Sequence, residues 1–145
     1  MQIIKVDPMG KPRMTKRDHW RPAVLRYWAY KDHLNAKRLQ VPSAYYHMIF
    51  VLPMPKSWPR VKKNDMRGQP HKQVPDKDNL EKGILDAVYK NDAHVWDGRS
   101  TKIWGDEGYL IIRDMGDISD GVQTMEALLK IGMPAADISR LLKGG

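Results

Sequence analysis

Cysteine is absent from all 145 residues. That excludes a disulfide framework, a thiolate zinc site and a cysteine nucleophile. Long apolar runs are absent too. No stretch approaches the roughly 20 residues that a membrane-spanning helix needs. The opening Met1-Gln2-Ile3-Ile4-Lys5-Val6-Asp7 lacks the apolar run of a signal peptide. There is no lipidation signal, no long basic amphipathic helix, no internal repeat and no low-complexity tract. These absences point to a cytoplasmic protein without a membrane partner. Acids are the minority charge: 17 Asp and Glu stand against 25 Lys and Arg, giving a formal net charge of +8 and a pI near 9.7. A surface this basic favours a polyanion, and nucleic acid is the usual one.

What is present is enough for one domain with a real core, since 41% of the residues are apolar. Gln2 to Val6 reads as a short strand ended by Asp7-Pro8. The loop Met9-Gly10-Lys11-Pro12-Arg13-Met14-Thr15-Lys16-Arg17 carries basic side chains suited to phosphates, with a solvated basic loop as the alternative. Pro22 to about Gln40 is predicted helical, with Val24, Tyr27, Trp28, Lys31 and Leu34 at helical spacing. That spacing places Trp28 in the core. Tyr45 to Leu52 is a nearly continuous apolar run, the pattern of a central, well-covered strand.

Residues 55–73 read as a long basic loop holding Lys56, Arg60, Lys62, Lys63, Arg67 and Lys72 around Trp58. Basic residues interleaved with tryptophan suit a clamp on nucleic acid. After the next helix, Val95 to Trp104 and Glu107 to Arg113 are predicted to form a hairpin broken at Gly105-Asp106. From Ile118 the character changes. Val122 to Ile131 and Pro134 to Lys143 read as two helices, a packing or dimerisation appendage.

The chain is organised around Val74-Pro75-Asp76-Lys77-Asp78-Asn79-Leu80-Glu81-Lys82-Gly83-Ile84-Leu85-Asp86-Ala87-Val88. Two carboxylates stand one residue apart, and then a helix opens. Asp78, Lys82 and Asp86 recur every fourth residue and share a face, while Leu80, Ile84, Ala87 and Val88 line roughly the opposite one. Phosphodiester hydrolysis needs charge neutralised at the phosphate, an aligned water and a stabilised leaving oxygen. Hard divalent metals on carboxylates supply much of this, and a lysine one turn on can assist. The structural alternatives are a capping box, with Asp78 at N-cap and Glu81 at N3, and an ion pair between Lys82 and Asp86. Asp92, at a strand entrance, is either a turn residue or a group turned back toward the helix start.

Pro75-Asp76-Lys77-Asp78-Asn79-Leu80-Glu81-Lys82, with Asp86-Ala87-Val88 and Asn91-Asp92-Ala93-His94-Val95, resembles the RusA family of Holliday-junction resolvases. Leu52-Pro53-Met54-Pro55-Lys56-Ser57-Trp58 and Gly68-Gln69-Pro70-His71 resemble its phage-type members, and Gly10-Lys11-Pro12-Arg13 its N-terminal basic loop. Carried over residue by residue, the family's essential groups become Asp76, Asp78, Lys82 and Asp92, with the three aspartates as metal ligands and Asp97 competing for the third place. Asn91 stands where the family often has a further acid. The resemblance implies a Mg²⁺-dependent endonuclease, with Mn²⁺ as a substitute, that acts as a homodimer and nicks two strands of a four-way junction symmetrically. Lys11, Arg13, Lys16 and the 56–72 loop would hold DNA. The implied fold is mixed α+β, in order β-α-β-α-β-β, as an endonuclease domain over residues 1–117 with a C-terminal helical extension over 118–145. A branched-DNA-binding protein without catalysis and another type of Mg²⁺-dependent nuclease are the competing readings.

Overall fold

The computed structural model describes residues 1–13 and 20–143. In chain order it forms β1 (Gln2–Lys5), α1 (Pro22–Ala36), β2 (Tyr46–Pro53), α2 (Arg60–Met66), α3 (Lys77–Val88), β3 (Gly98–Gly105), β4 (Tyr109–Asp114), α4 (Ile118–Lys130) and α5 (Ala135–Leu142). The fold is mixed α+β, as expected, with one more helix between β2 and β3 than the expected order contains. No helix among the described residues is long and apolar enough to cross a membrane.

The four strands form one sheet in the order β1-β4-β2-β3. β2 sits inside it, parallel to β3 and antiparallel to β4. Its side chains are buried from Tyr46 to Leu52, so both faces are covered and apolar residues do not alternate with polar ones. The predicted hairpin is corrected here. β3 and β4 do not pair with each other but flank β2, and the chain crosses the end of β2 through Gly105 to Gly108. β2 outcompetes the local turn because it offers each strand a full-length buried ladder, Tyr46 to Pro53 with β3 and Tyr46 to Val51 with β4. The free edge of β3 is shielded by residues 68–71: Gly68 N–H donates to Trp104 O (2.9 Å) and His71 N–H to Lys102 O (3.0 Å).

One face of the sheet packs against α1 and α3 through Met48, Phe50, Leu52, Leu110, Ile112, Leu34, Leu80 and Ile84. The other packs against the C-terminal helices, where Leu128, Met133, Ile138 and Leu141 meet Ile49, Val51, Ile103 and Ile111. α1 ends at Ala36, four residues early, because Arg38 turns left-handed (φ +56°) and Leu39 N–H closes onto Leu34 O (3.2 Å). It buries Val24, Tyr27, Tyr30 and Leu34, while Trp28 is 53% exposed. The stripe is thus rotated toward Tyr30, which excludes Trp28 from the core.

Residues 55–73 are not one structureless loop either. Arg60 to Met66 is helical and buries no residue, so it carries no apolar period that a sequence could show. Its start is anchored instead by Trp58, whose ring lies 4.8 Å from that of Trp104.

Candidate active site

α3 begins at Lys77, with Asp76 at the N-cap and Asp78 in the first turn. The capping box is therefore not formed. Asp76, not Asp78, occupies the cap, and its side chain makes no capping hydrogen bond. Asp76 and Asp78 are exposed at the positive end of a helix dipole, which favours carboxylates there. Lys82 is exposed one turn beyond Asp78. Its expected partner Asp86 is bound instead by Lys11, with Nζ 2.5 Å from Oδ2 and both side chains about a quarter exposed. Lys82 has no ion-pair partner among the described residues.

The approach of the N-terminal loop explains the exchange. Residues Met9 to Lys11 lie over Gly83, where a Cβ would stand 3.3 Å from Met9 O. A Cβ on Gly10 would fall 2.5 Å from Asn79 Nδ2. Two glycines thus let the loop seat on α3, and Lys11 reaches Asp86. Lys102 of β3 holds the segment ahead of α3 by donating to the carbonyls of Gln73 and Pro75, the latter at 2.8 Å.

Behind the helix, Tyr46 is 3% exposed and its hydroxyl donates to Glu81. Burial pushes the Tyr46 hydroxyl well above its ordinary range. The bond to Glu81 and the charges of Glu81, Asp97 and Asp92 push the same way. Tyr46 therefore stays protonated and donates. Gly98 permits this arrangement, because a Cβ there would lie 2.1 Å from the Tyr46 ring. Glu81 and Tyr46 were not foreseen as part of this neighbourhood. A helical Glu three residues after Asp78 was the available signal.

The turn at 91–95 is built by Asn91 and by the Asp92 main chain. Asn91 Oδ1 accepts from Ala93 N–H (2.9 Å), and the Asp92 carbonyl accepts from Val95 N–H (2.9 Å). The Asp92 side chain is not needed for the turn. Among the described residues no group of three or more His, Asp or Glu side chains is arranged to hold a metal ion. The donors available at the start of α3 are nonetheless carboxylate oxygens, the chemistry that a hard divalent cation takes.

The expected DNA contacts divide into free and engaged cations. Lys56, Arg60, Lys62 and Lys72 are exposed, as is Arg13, and Lys63 is half-buried. Lys62 Nζ stands 4.3 Å over the Trp58 ring. Arg67 is engaged by a two-pronged pairing with Asp106 (2.8 Å on each oxygen), and Lys11 by Asp86. Lys16 lies outside the described residues.

The sequence model of the family "Endodeoxyribonuclease RusA" matches residues 5–113, from the last residue of β1 through α1 to α3 and into β4 as far as Arg113. No curated protein and no solved structure matches the chain. A match over most of the chain, with the candidate carboxylates inside it, places this protein in the RusA family of endodeoxyribonucleases, a family of Holliday-junction nucleases that depend on divalent metal.

Proposed function

We propose that this protein is a structure-selective endodeoxyribonuclease that resolves four-way junctions by Mg²⁺-dependent phosphodiester hydrolysis, as a homodimer making paired nicks in recombination and repair. The observation that carries this reading is the state of the α3 N-terminus. Asp76 and Asp78 are exposed there without a capping hydrogen bond or an ion pair, and Lys82 is exposed and unpaired one turn on. Three charged groups with no structural partner among the described residues are available for a ligand.

Asp76, Asp78 and Asp92 would hold the cation, with Asp97 the alternative third acid. A divalent metal held there would supply Lewis-acid chemistry, polarising the scissile phosphate and lowering the pKa of a bound water. Lys82 stabilises charge on the phosphate oxygens as the bond breaks. Tyr46 donates to Glu81 and fixes that carboxylate behind Asp78, three residues away on the helix. Arg13, Lys56, Arg60, Lys62, Lys63 and Lys72 bind backbone phosphates and orient the junction without reading its sequence.

The test is cleavage of a synthetic four-way junction with Mg²⁺, beside a linear duplex and an Asp78→Asn variant. Paired nicks on the junction alone are expected. In the variant the rate should fall by at least roughly a hundredfold, the scale of losing one preorganised charged group. Junction affinity should be kept or raised, because a negative charge facing phosphate is removed. Tight binding by the wild type without cleavage under any divalent cation would leave the non-catalytic DNA-binding reading.

A further inference from the structure

On the face of the sheet away from α3, three basic side chains stand in a row across neighbouring strands. Arg99 of β3 and Arg113 of β4 both lie directly opposite His47 of β2. Arg113 Nε donates to His47 Nδ1 (3.2 Å), so the ring carries its proton on Nε2 and donates it to Thr101 Oγ1 (2.9 Å). The Thr101 hydroxyl keeps its own proton free to donate elsewhere. Arg113 also reaches the Leu142 carbonyl (3.5 Å). Arg99 has no such outlet. Its Nη1 is buried with no hydrogen-bond partner, and no carboxylate pairs with it among the described residues. Arg99 is half-buried as a residue, but a buried guanidinium nitrogen without an acceptor is costly, so something is expected to complete it.

Beside Arg99 lies a cavity of about 120 Å³, lined among others by Arg99, Thr101, Gly68, Pro70, Arg140 and Leu141. At about 30 Å³ per water molecule, that is room for roughly four waters or one small anion. Arg140 enters from α5, donating to Gly68 O (3.2 Å) and paired with Asp137 (3.0 Å). Arg99 and Thr101 from β3 and Arg140 from α5 thus line one small space. Planar N–H forks approaching from separate elements suit the oxygens of a phosphate group.

We propose that this cavity is a phosphate-type oxyanion site, separate from the α3 carboxylates, in which Arg99, Thr101 and Arg140 take the oxygens of a phosphate that is either free or part of a DNA backbone. Occupied, it would tie α5 and residues 68–70 to the edge of the sheet. The site does not depend on cleavage chemistry, and it can be tested on protein that has never met metal.

Thermal unfolding of the full chain is followed against inorganic phosphate and against chloride at matched ionic strength, for the wild type, Arg99→Gln and Arg140→Gln. Junction binding is measured for the same three proteins, with Lys130→Gln, an exposed cation of α4, as a control. Arg99→Gln removes a half-buried guanidinium whose buried Nη1 has no partner, so in chloride it should unfold no earlier than the wild type. A saturable, phosphate-specific stabilisation lost in Arg99→Gln and weakened in Arg140→Gln supports the site with free phosphate as occupant. Junction affinity weakened about tenfold or more by Arg99→Gln, but not by Lys130→Gln, supports it with a backbone phosphate as occupant. Should Arg99→Gln fold poorly, Arg99→Lys keeps the charge and loses the fork, and is expected to bind weakly in whichever assay the wild type responds. The proposal is overturned if the wild type gains no more from phosphate than from chloride while Arg99→Gln binds the junction as the wild type does. It is overturned equally if Arg99→Gln keeps the full phosphate response.

Discussion

Lowering the pH from 7.5 to 5 should cost this protein about 2 kcal/mol of stability through His47 alone. His47 is fully buried, and burial, followed by the charges of Arg99 and Arg113, pushes its pKa down from the ordinary 6.5 to about 3. The folded ring therefore stays neutral throughout that range. In the unfolded chain it gains a proton as the pH falls through 6.5. Because the unfolded state then binds more protons, stability falls as the pH is lowered, and it keeps falling until about pH 3, where the folded ring begins to protonate as well. Each pH unit inside that window is worth about 1.36 kcal/mol per proton, and roughly one and a half units lie between 6.5 and 5.

The control is His47→Gln. A glutamine amide can accept from Arg113 and donate to Thr101, which keeps both hydrogen bonds of the row but does not titrate. Urea unfolding of both proteins at pH 7.5, 6.5, 5.5 and 5 gives the difference in slope. His71, which is also held low by burial, titrates in both proteins and cancels. Carboxylates such as Asp106 and Asp120, held below their usual range, act only at lower pH and cancel too. Equal loss of stability in the two proteins between pH 7.5 and 5 would refute the reasoning. It would mean that the folded state takes up the proton, and that the Arg99–His47–Arg113 row is not a desolvated stack of basic groups.

The free and engaged cations of the 56–72 segment should separate in salt dependence. Lys62→Ala should reduce the slope of log K against log salt for junction binding by about one. Arg67→Ala should leave the slope unchanged, since its guanidinium is held by Asp106. Lys102→Met removes the donor to the Gln73 and Pro75 carbonyls and should lower kcat by about ten- to a hundredfold with little change in junction Kd. Single-turnover cleavage beside a binding titration checks the split, and an equal change in both would assign Lys102 to DNA binding instead. Leu128→Ala, at a fully buried position where α4 meets the sheet, should lose about 2–5 kcal/mol in chemical denaturation. A loss near zero would show that the C-terminal helices do not contribute to the core.

What could be read from the sequence, and what could not, divides by the sequence distance over which each feature is decided. Tyr46 to Leu52 declares a central strand because two-sided burial leaves no alternation. The apolar face of α3 declares itself through its period. Asp76, Asp78 and Lys82 stand out as a candidate motif because all three fall within seven consecutive residues. The hairpin expectation erred for the opposite reason. β3 and β4 are adjacent in sequence, but their partner in space is β2, which lies more than 40 residues before β3. The Lys82–Asp86 pairing erred in the same way, since the helical spacing rule competes poorly with a lysine 75 residues away that a Gly-lined loop delivers. Tyr46 reaches Glu81 across 35 residues, and Lys102 reaches Pro75 across 27. The row of Arg99, His47 and Arg113 is assembled by strand register alone. Asp76, Asp78 and Lys82 are therefore written within two helical turns, while Tyr46 and Lys102, which hold that segment, come from strands whose pairing is decided by the whole sheet. For that reason substitutions at Tyr46, Lys102 and Lys11 would probe the fold's contribution to the proposed cleavage, and substitutions at Asp76, Asp78 and Lys82 the proposed chemistry.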